Sequence, residues 1–167
     1  MIREYETQVT VKLNDFRIAR LDSLAKLGTT NRHSLMQSIV NLWLNVLASS
    51  KIPHVFYMAI VFRDLEAPAK RLTRSQQDFS ESPLPTKSLP IKLTESAIGK
   101  IDGFANKSNI TRHQMMKNMI ITGIDEIDVI TDFQPFDYYT IEPQLHKAFV
   151  HIMRQAEKMF EVGMKFK

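Results

Sequence analysis

The sequence predicts a mainly α-helical fold built around a short two-stranded antiparallel ribbon, with one strand-helix-helix unit used twice. Three observations carry this expectation. Residues 11–41, "VKLNDFRIARLDSLAKLGTTNRHSLMQSIVN", lie over 91–121, "IKLTESAIGKIDGFANKSNITRHQMMKNMII", without a gap and at a constant offset of 80. Identical pairs include Lys12/Lys92, Leu13/Leu93, Ile18/Ile98, Asp22/Asp102, Arg32/Arg112, His33/His113 and Met36/Met116. Each copy opens on apolar-polar alternation and continues with two segments of helical spacing, so the repeat supplies the organisation of the chain.

The opening segment "TQVTVKL" (7–13) places Val9, Val11 and Leu13 on one side and Gln8, Thr10 and Lys12 on the other, the period of a half-buried strand. Its counterpart sets Leu89, Ile91 and Leu93 against Ser88, Pro90 and Lys92. Asn14 or Thr94 then caps a first helix, with Asp15 or Glu95 complementing the positive helix end. Ile18, Leu21, Leu24 and Ala25, or Ile98, Ile101, Phe104 and Ala105, form its apolar stripe. "LGTTN" or "NKSN" ends that helix, where glycine or asparagine suits a left-handed turn. Asn31 or Thr111 starts a second helix, striped by Leu35, Ile39, Leu42 and Val46, or by Met115, Met119 and Ile120. A lone strand cannot satisfy its own backbone, so the strand of the other copy is the expected partner, with four helices covering the apolar face. The sequence leaves pairing within one chain and pairing between chains both open, and the long linker permits the former.

Four regions follow: a first unit over 1–50, a linker over 51–87, a second unit over 88–127, and an acidic connector with an amphipathic helix over 128–167. Within the linker, Pro53 ends the second helix and the apolar segment 52–62 is expected to pack on the core. The polar, proline- and serine-rich passage after it, with Lys70, Arg71 and Arg74, reads as flexible. In "EPQLHKAFVHIMRQAEKMFEVG" the proline marks a helix start, and Leu145, Phe149, Ile152, Met153, Ala156, Met159 and Phe160 share one face. That helix, over 143–163, either completes the core or offers a surface for self-association or a protein partner.

Composition narrows the function. Hydrophobic residues make up 44% and charged residues 24%, which suits a folded chain. No cysteine is present, which removes disulfides, thiolate nucleophiles and cysteine zinc sites. The polar N-terminus "MIREYETQVT" lacks a secretory apolar region, and the longest apolar run, "VFYMAIVF", is far short of a membrane span. A cytoplasmic protein with no membrane association is expected. Residues 1–123 carry 17 Lys/Arg against 10 Asp/Glu, net +7, whereas 124–167 carry 5 against 8, net −3. The basic excess therefore lies with the repeat and suits a polyanionic partner. His33 and His113 have no companions for a metal site, the methionines read as core filling, and no catalytic constellation surrounds Tyr138 or Tyr139. Neither enzymatic activity nor a cofactor or metal is expected.

Both copies, strand "TVKL" or "PIKL", a polar-acidic helix start, then "NRHSLM" or "TRHQMM" opening a second helix, resemble the ribbon-helix-helix family of DNA-binding proteins, the group of the Arc and MetJ repressors. Two units in one polypeptide look like the tandem, single-chain pseudo-dimers of TraY-type proteins of plasmid conjugation. The resemblance implies double-stranded DNA as partner, with the ribbon in the major groove. By transfer onto matching positions, Gln8, Thr10, Lys12, Ser88 and Lys92 would read bases. Asn31, Arg32 and His33, with Thr111, Arg112 and His113, would bind phosphate at the second-helix N-termini. A solvated ribbon face and ordinary surface arginines are the bland alternatives, against which recurrence at one offset counts.

Pro90 stands where the first copy has Thr10, which a ribbon tolerates if the proline nitrogen points away from the partner strand. The difference implies an asymmetric target site. A transcriptional repressor and a relaxosome accessory factor both fit this reading. An antitoxin, in which the C-terminal helix binds a partner protein, is the alternative.

Overall fold

The computed structural model describes residues 5–56, 58–60 and 85–165. Residues 57, 61 and 62 of the apolar segment, most of the polar linker, and Lys70, Arg71 and Arg74 lie outside them. The described chain is mainly helical with one two-stranded antiparallel sheet. In order it runs β1 (Glu6–Asn14), α1 (Asp15–Leu27), α2 (Arg32–Ser49), a 3-10 turn (Pro53–Val55), β2 (Thr86–Thr94), α3 (Glu95–Lys107), α4 (Arg112–Thr131) and α5 (Tyr138–Lys165). The second strand thus begins at Thr86, two residues before the sequence-based boundary.

β1 and β2 pair along their full length, from Glu6 opposite Thr94 to Asn14 opposite Thr86, with Thr10 opposite Pro90 at the centre. This pairing is within one chain. Val11, Leu13, Leu89, Ile91 and Leu93 are buried on one face, while Gln8, Thr10, Lys12, Ser88, Pro90 and Lys92 are exposed on the other. Each strand lies against the second helix of the other unit, β1 on α4 and β2 on α2. Neither unit therefore has a complete core alone. Burial of each such side chain contributes about 1.5–3 kcal/mol, so the apolar ribbon face is a principal source of stability.

The expected caps are present. Asn14 accepts from the Arg17 N–H, Thr94 from Ala97, Asn31 from Ser34 and Thr111 from Gln114, the last as a reciprocal capping box. The turn after the first helix differs from expectation in one copy. Asn109 takes the left-handed conformation (φ 55°), but its counterpart is Thr29 (φ 53°), not Gly28. Gly28 has φ −85°, and smallness is what it supplies: a Cβ there would lie 2.7 Å from the Phe136 ring. The β-branched Thr29 carries the turn's strain instead.

The two units diverge where α5 packs. Trp43 of α2 stacks on Phe149 of α5 with centroids 4.0 Å apart and meets Phe56 edge-on at 5.0 Å. Val55, Phe56 and Ala59 are buried, so the described part of the apolar segment joins the core. The position equivalent to Trp43 in α4 is Gly123, where a Cβ would meet Ile39 Cγ2 at 2.3 Å. One copy fills this level with the largest side chain and the other leaves only backbone, which lets α4 approach α2. Asp125 and Asp128 of α4 pair with Arg17 and Arg20 of α1, so part of the acidic stretch ties helices together.

The last helix starts earlier than its proline suggests. Asp137 accepts the Tyr139 N–H on its side chain and those of Thr140 and Ile141 on its carbonyl, opening α5 at Tyr138 with Pro143 inside. Leu145, Phe149, Ile152, Met153 and Ala156 are buried, whereas Met159 is 45% exposed and leaves the expected stripe. Most of the face expected to serve self-association or a protein partner over 143–163 is thus occupied within the chain.

Replacing Gly123 with alanine should lower stability by about 1–3 kcal/mol through overpacking against Ile39. A lowered urea midpoint at unchanged slope is the expected result.

Candidate functional site

The exposed ribbon face gathers all five sequence-based reader positions. Side chains alternate across a strand, so burying Val11, Leu13, Leu89, Ile91 and Leu93 obliges Gln8, Thr10, Lys12, Ser88 and Lys92 to share the opposite side. Across the ribbon Gln8 faces Lys92 and Lys12 faces Ser88, flanking the central Thr10–Pro90 pair. Two lysines and uncharged donors and acceptors thus occupy one solvent-exposed surface.

The second-helix N-termini stand at its two edges. Nε2 of His33, in the first turn of α2, accepts the Lys92 N–H at 2.9 Å. Nε2 of His113, in the first turn of α4, accepts the Lys12 N–H at 2.9 Å. These bonds place one helix start beside each strand. Backbone N–H direction alternates along a strand, so the Pro90 nitrogen, two residues before the outward-pointing Lys92 N–H, also points away from β1. Its missing hydrogen costs no ladder bond.

Of the six expected phosphate ligands, Asn31 and Thr111 cap their helices and lie exposed at these edges. Both histidines turn toward strand backbone instead of outward. Arg32 and Arg112 are engaged too: Nε and Nη2 of Arg32 donate to Asp22 at 2.6 Å each, and Arg112 makes the same fork to Asp102 at 2.7 and 2.6 Å. Each bond pair pins the first turn of the second helix to the middle of the first helix. The recurrence of Asp22/Asp102 with Arg32/Arg112 is therefore explained structurally, leaving only Nη1 of each guanidinium outside the fork. Sequence reasoning missed this role, although identity at both partner positions, ten residues apart in each copy, was its signal.

Arg32 holds the Asp22 carboxyl below its ordinary 3.8 chiefly by hydrogen bonding, and Arg112 does the same for Asp102. Burial and the cations Lys117 and Lys12 hold His113 below its ordinary 6.5, favouring the neutral ring that its acceptor role requires.

A polar groove of about 740 Å³ lies elsewhere, between α2 and the start of α5, lined in part by Ser34, Ser38, Asn41, Tyr138, Asp137 and Glu142. Its carboxylates make it a poor seat for an anion. Among the described residues no three His, Asp or Glu gather as metal ligands would, and no helix is long and apolar enough to cross a membrane.

No family model, curated protein or solved structure matches this chain.

A carboxylate with a lowered folded-state pKa stabilises the fold above its ordinary value and loses that contribution as pH falls through the folded one. The Asp22→Asn/Asp102→Asn protein should therefore lose less stability than the parent on acidification below about pH 4. The difference should be under about 1 kcal/mol, because both pairs are largely solvated and screened. Urea unfolding at a series of pH values measures it.

Proposed function

We propose that this chain is a sequence-specific double-stranded DNA-binding protein that lays its ribbon in the major groove, polar face toward the base edges, with the starts of α2 and α4 against flanking phosphates. One observation carries the reading: a solvent-open polar ribbon face is bordered on both edges by helix N-termini. The major groove, about 12 Å wide, admits a two-stranded ribbon. Helix N-termini attract phosphate through unpaired N–H groups and their positive partial charge. The strand-helix-helix order, twice in one chain, supports the resemblance to tandem ribbon-helix-helix proteins.

The readers divide by chemistry. Lys12 and Lys92 donate to guanine acceptors, Gln8 pairs with adenine through both amide atoms, Thr10 offers its methyl to thymine, and Ser88 bonds either purines or pyrimidines. Relating the two units by their offset sets Gln8 against Ser88 and Thr10 against Pro90, with lysine common to both halves. The target is therefore asymmetric around two shared lysine contacts. Because Asp22 and Asp102 partly neutralise Arg32 and Arg112, backbone N–H groups in the first turns of α2 and α4 carry more of the phosphate anchoring than the guanidinium groups do. The role is regulatory or accessory and not enzymatic: repression at an operator, or assembly at a transfer origin.

Lys12→Ala should weaken binding to a selected duplex by about 10- to 100-fold and binding to random duplex far less. Arg112→Ala should weaken both and lower the salt slope by about one or less. Titrations with labelled duplexes at several salt concentrations measure both. Equal loss at every sequence for Lys12→Ala would remove it from the readers. Sites selected from random DNA should lack two-fold symmetry, and a perfect inverted repeat bound by one chain would contradict the asymmetry.

A further inference from the structure

Among the described residues the ribbon has no third strand on either side, so the outward backbone groups of both strands need other partners. Side chains of the second helices supply them at the reading lysines. His113 takes the N–H of Lys12, and His33 takes the N–H of Lys92, both at 2.9 Å. One turn after His33, Gln37 donates its amide to the Lys92 carbonyl at 2.5 Å. The same residue type thus holds equivalent points of both edges, and each point is the backbone of a residue whose side chain faces the open ribbon surface.

An imidazole nitrogen that accepts a hydrogen bond has a free lone pair, so each ring is neutral with its proton on Nδ1. Protonating Nε2 would set an N–H against the strand N–H. The bond would be lost and replaced by two opposed donors.

We propose that His33 and His113 are positioning residues that make sequence-specific DNA binding depend on pH, their neutral rings fixing the backbone of the two reading lysines and their protonation releasing it. The proposal rests on the reading of the ribbon as a base-contacting surface. Its charged surroundings favour the neutral ring at the α4 edge, where His113 faces Lys117 on its own helix and Lys12 on β1. His33 faces Lys92 on β2, and uncharged Gln37 stands where α4 has Lys117. β2 is therefore held at both backbone groups of Lys92 by α2. Direct contact of the two histidines with phosphate would have the opposite sign, because an imidazolium binds phosphate more tightly as pH falls.

The test compares a duplex selected from random DNA with an unselected duplex, from about pH 8 to about pH 5.5 at constant ionic strength, for the parent and for His33→Gln/His113→Gln. Glutamine keeps an acceptor oxygen at the same number of bonds from the backbone and does not titrate. For the parent, the ratio of specific to random affinity should fall about tenfold in acid, while the glutamine protein should keep a flat ratio. A rise in the parent's ratio toward acid, or equal profiles for the two proteins, would overturn the proposal. Amide exchange of the free full-length chain separates its parts. Protection at Lys12 and Lys92 should drop in acid while that of Val11 and Ile91, inside the ladder, persists. Retained protection at all four overturns the proton dependence alone, whereas failure to bind any duplex at any pH overturns the DNA reading and the pH effect on it.

Discussion

Two strands satisfy each other along one side only, and that constraint shapes everything around β1 and β2. Residues with inward N–H groups form the ladder; the alternating residues between them turn their backbone outward and their side chains to the polar face. The chain resolves this by crossing its units. Each second helix runs beneath the strand of the other copy, and its first turn reaches up to the outer edge through His33 or His113. Burial of the apolar face contributes more to stability than the edge bonds do, since each buried aliphatic side chain contributes more than a single hydrogen bond. The edge bonds instead determine where the strands sit.

Asymmetry is layered on that near-symmetric frame. The offset of 80 pairs Trp43 with Gly123, Gln37 with Lys117 and Thr10 with Pro90. The first difference lets α5 anchor on one helix through Trp43 and Phe149 while the other helix packs closely on Ile39. The others alter the ribbon edge and its polar face. A single polypeptide can diversify its halves in this way; a homodimer, with two identical chains, cannot.

Much of the fold was legible from local chemistry. Strand alternation, the caps at Asn14, Asn31, Thr94 and Thr111, and the stripes of the second helices depend on near neighbours and recur twice. What was missed depends on tertiary partners. Gly28 looked like a left-handed residue because it ends a helix, but Phe136 decides its role and Thr29 carries the turn. Pro143 looked like a helix start, yet Asp137 opens the helix five residues earlier. For the candidate site, periodicity sufficed to place the five expected reader positions on one face. It did not separate a phosphate-binding arginine from one forked onto an aspartate, nor an outward histidine from one that completes a strand edge.

The account stands on the polar side of this ribbon, together with the helix starts at its borders, being the surface that meets nucleic acid. Amide chemical shifts followed during titration with a selected duplex test that most directly. Changes should centre on residues 8–12 and 88–92 and on the first turns of α2 and α4. Changes confined to α5 and the acidic 132–137 connector, or none at saturating duplex, would contradict it.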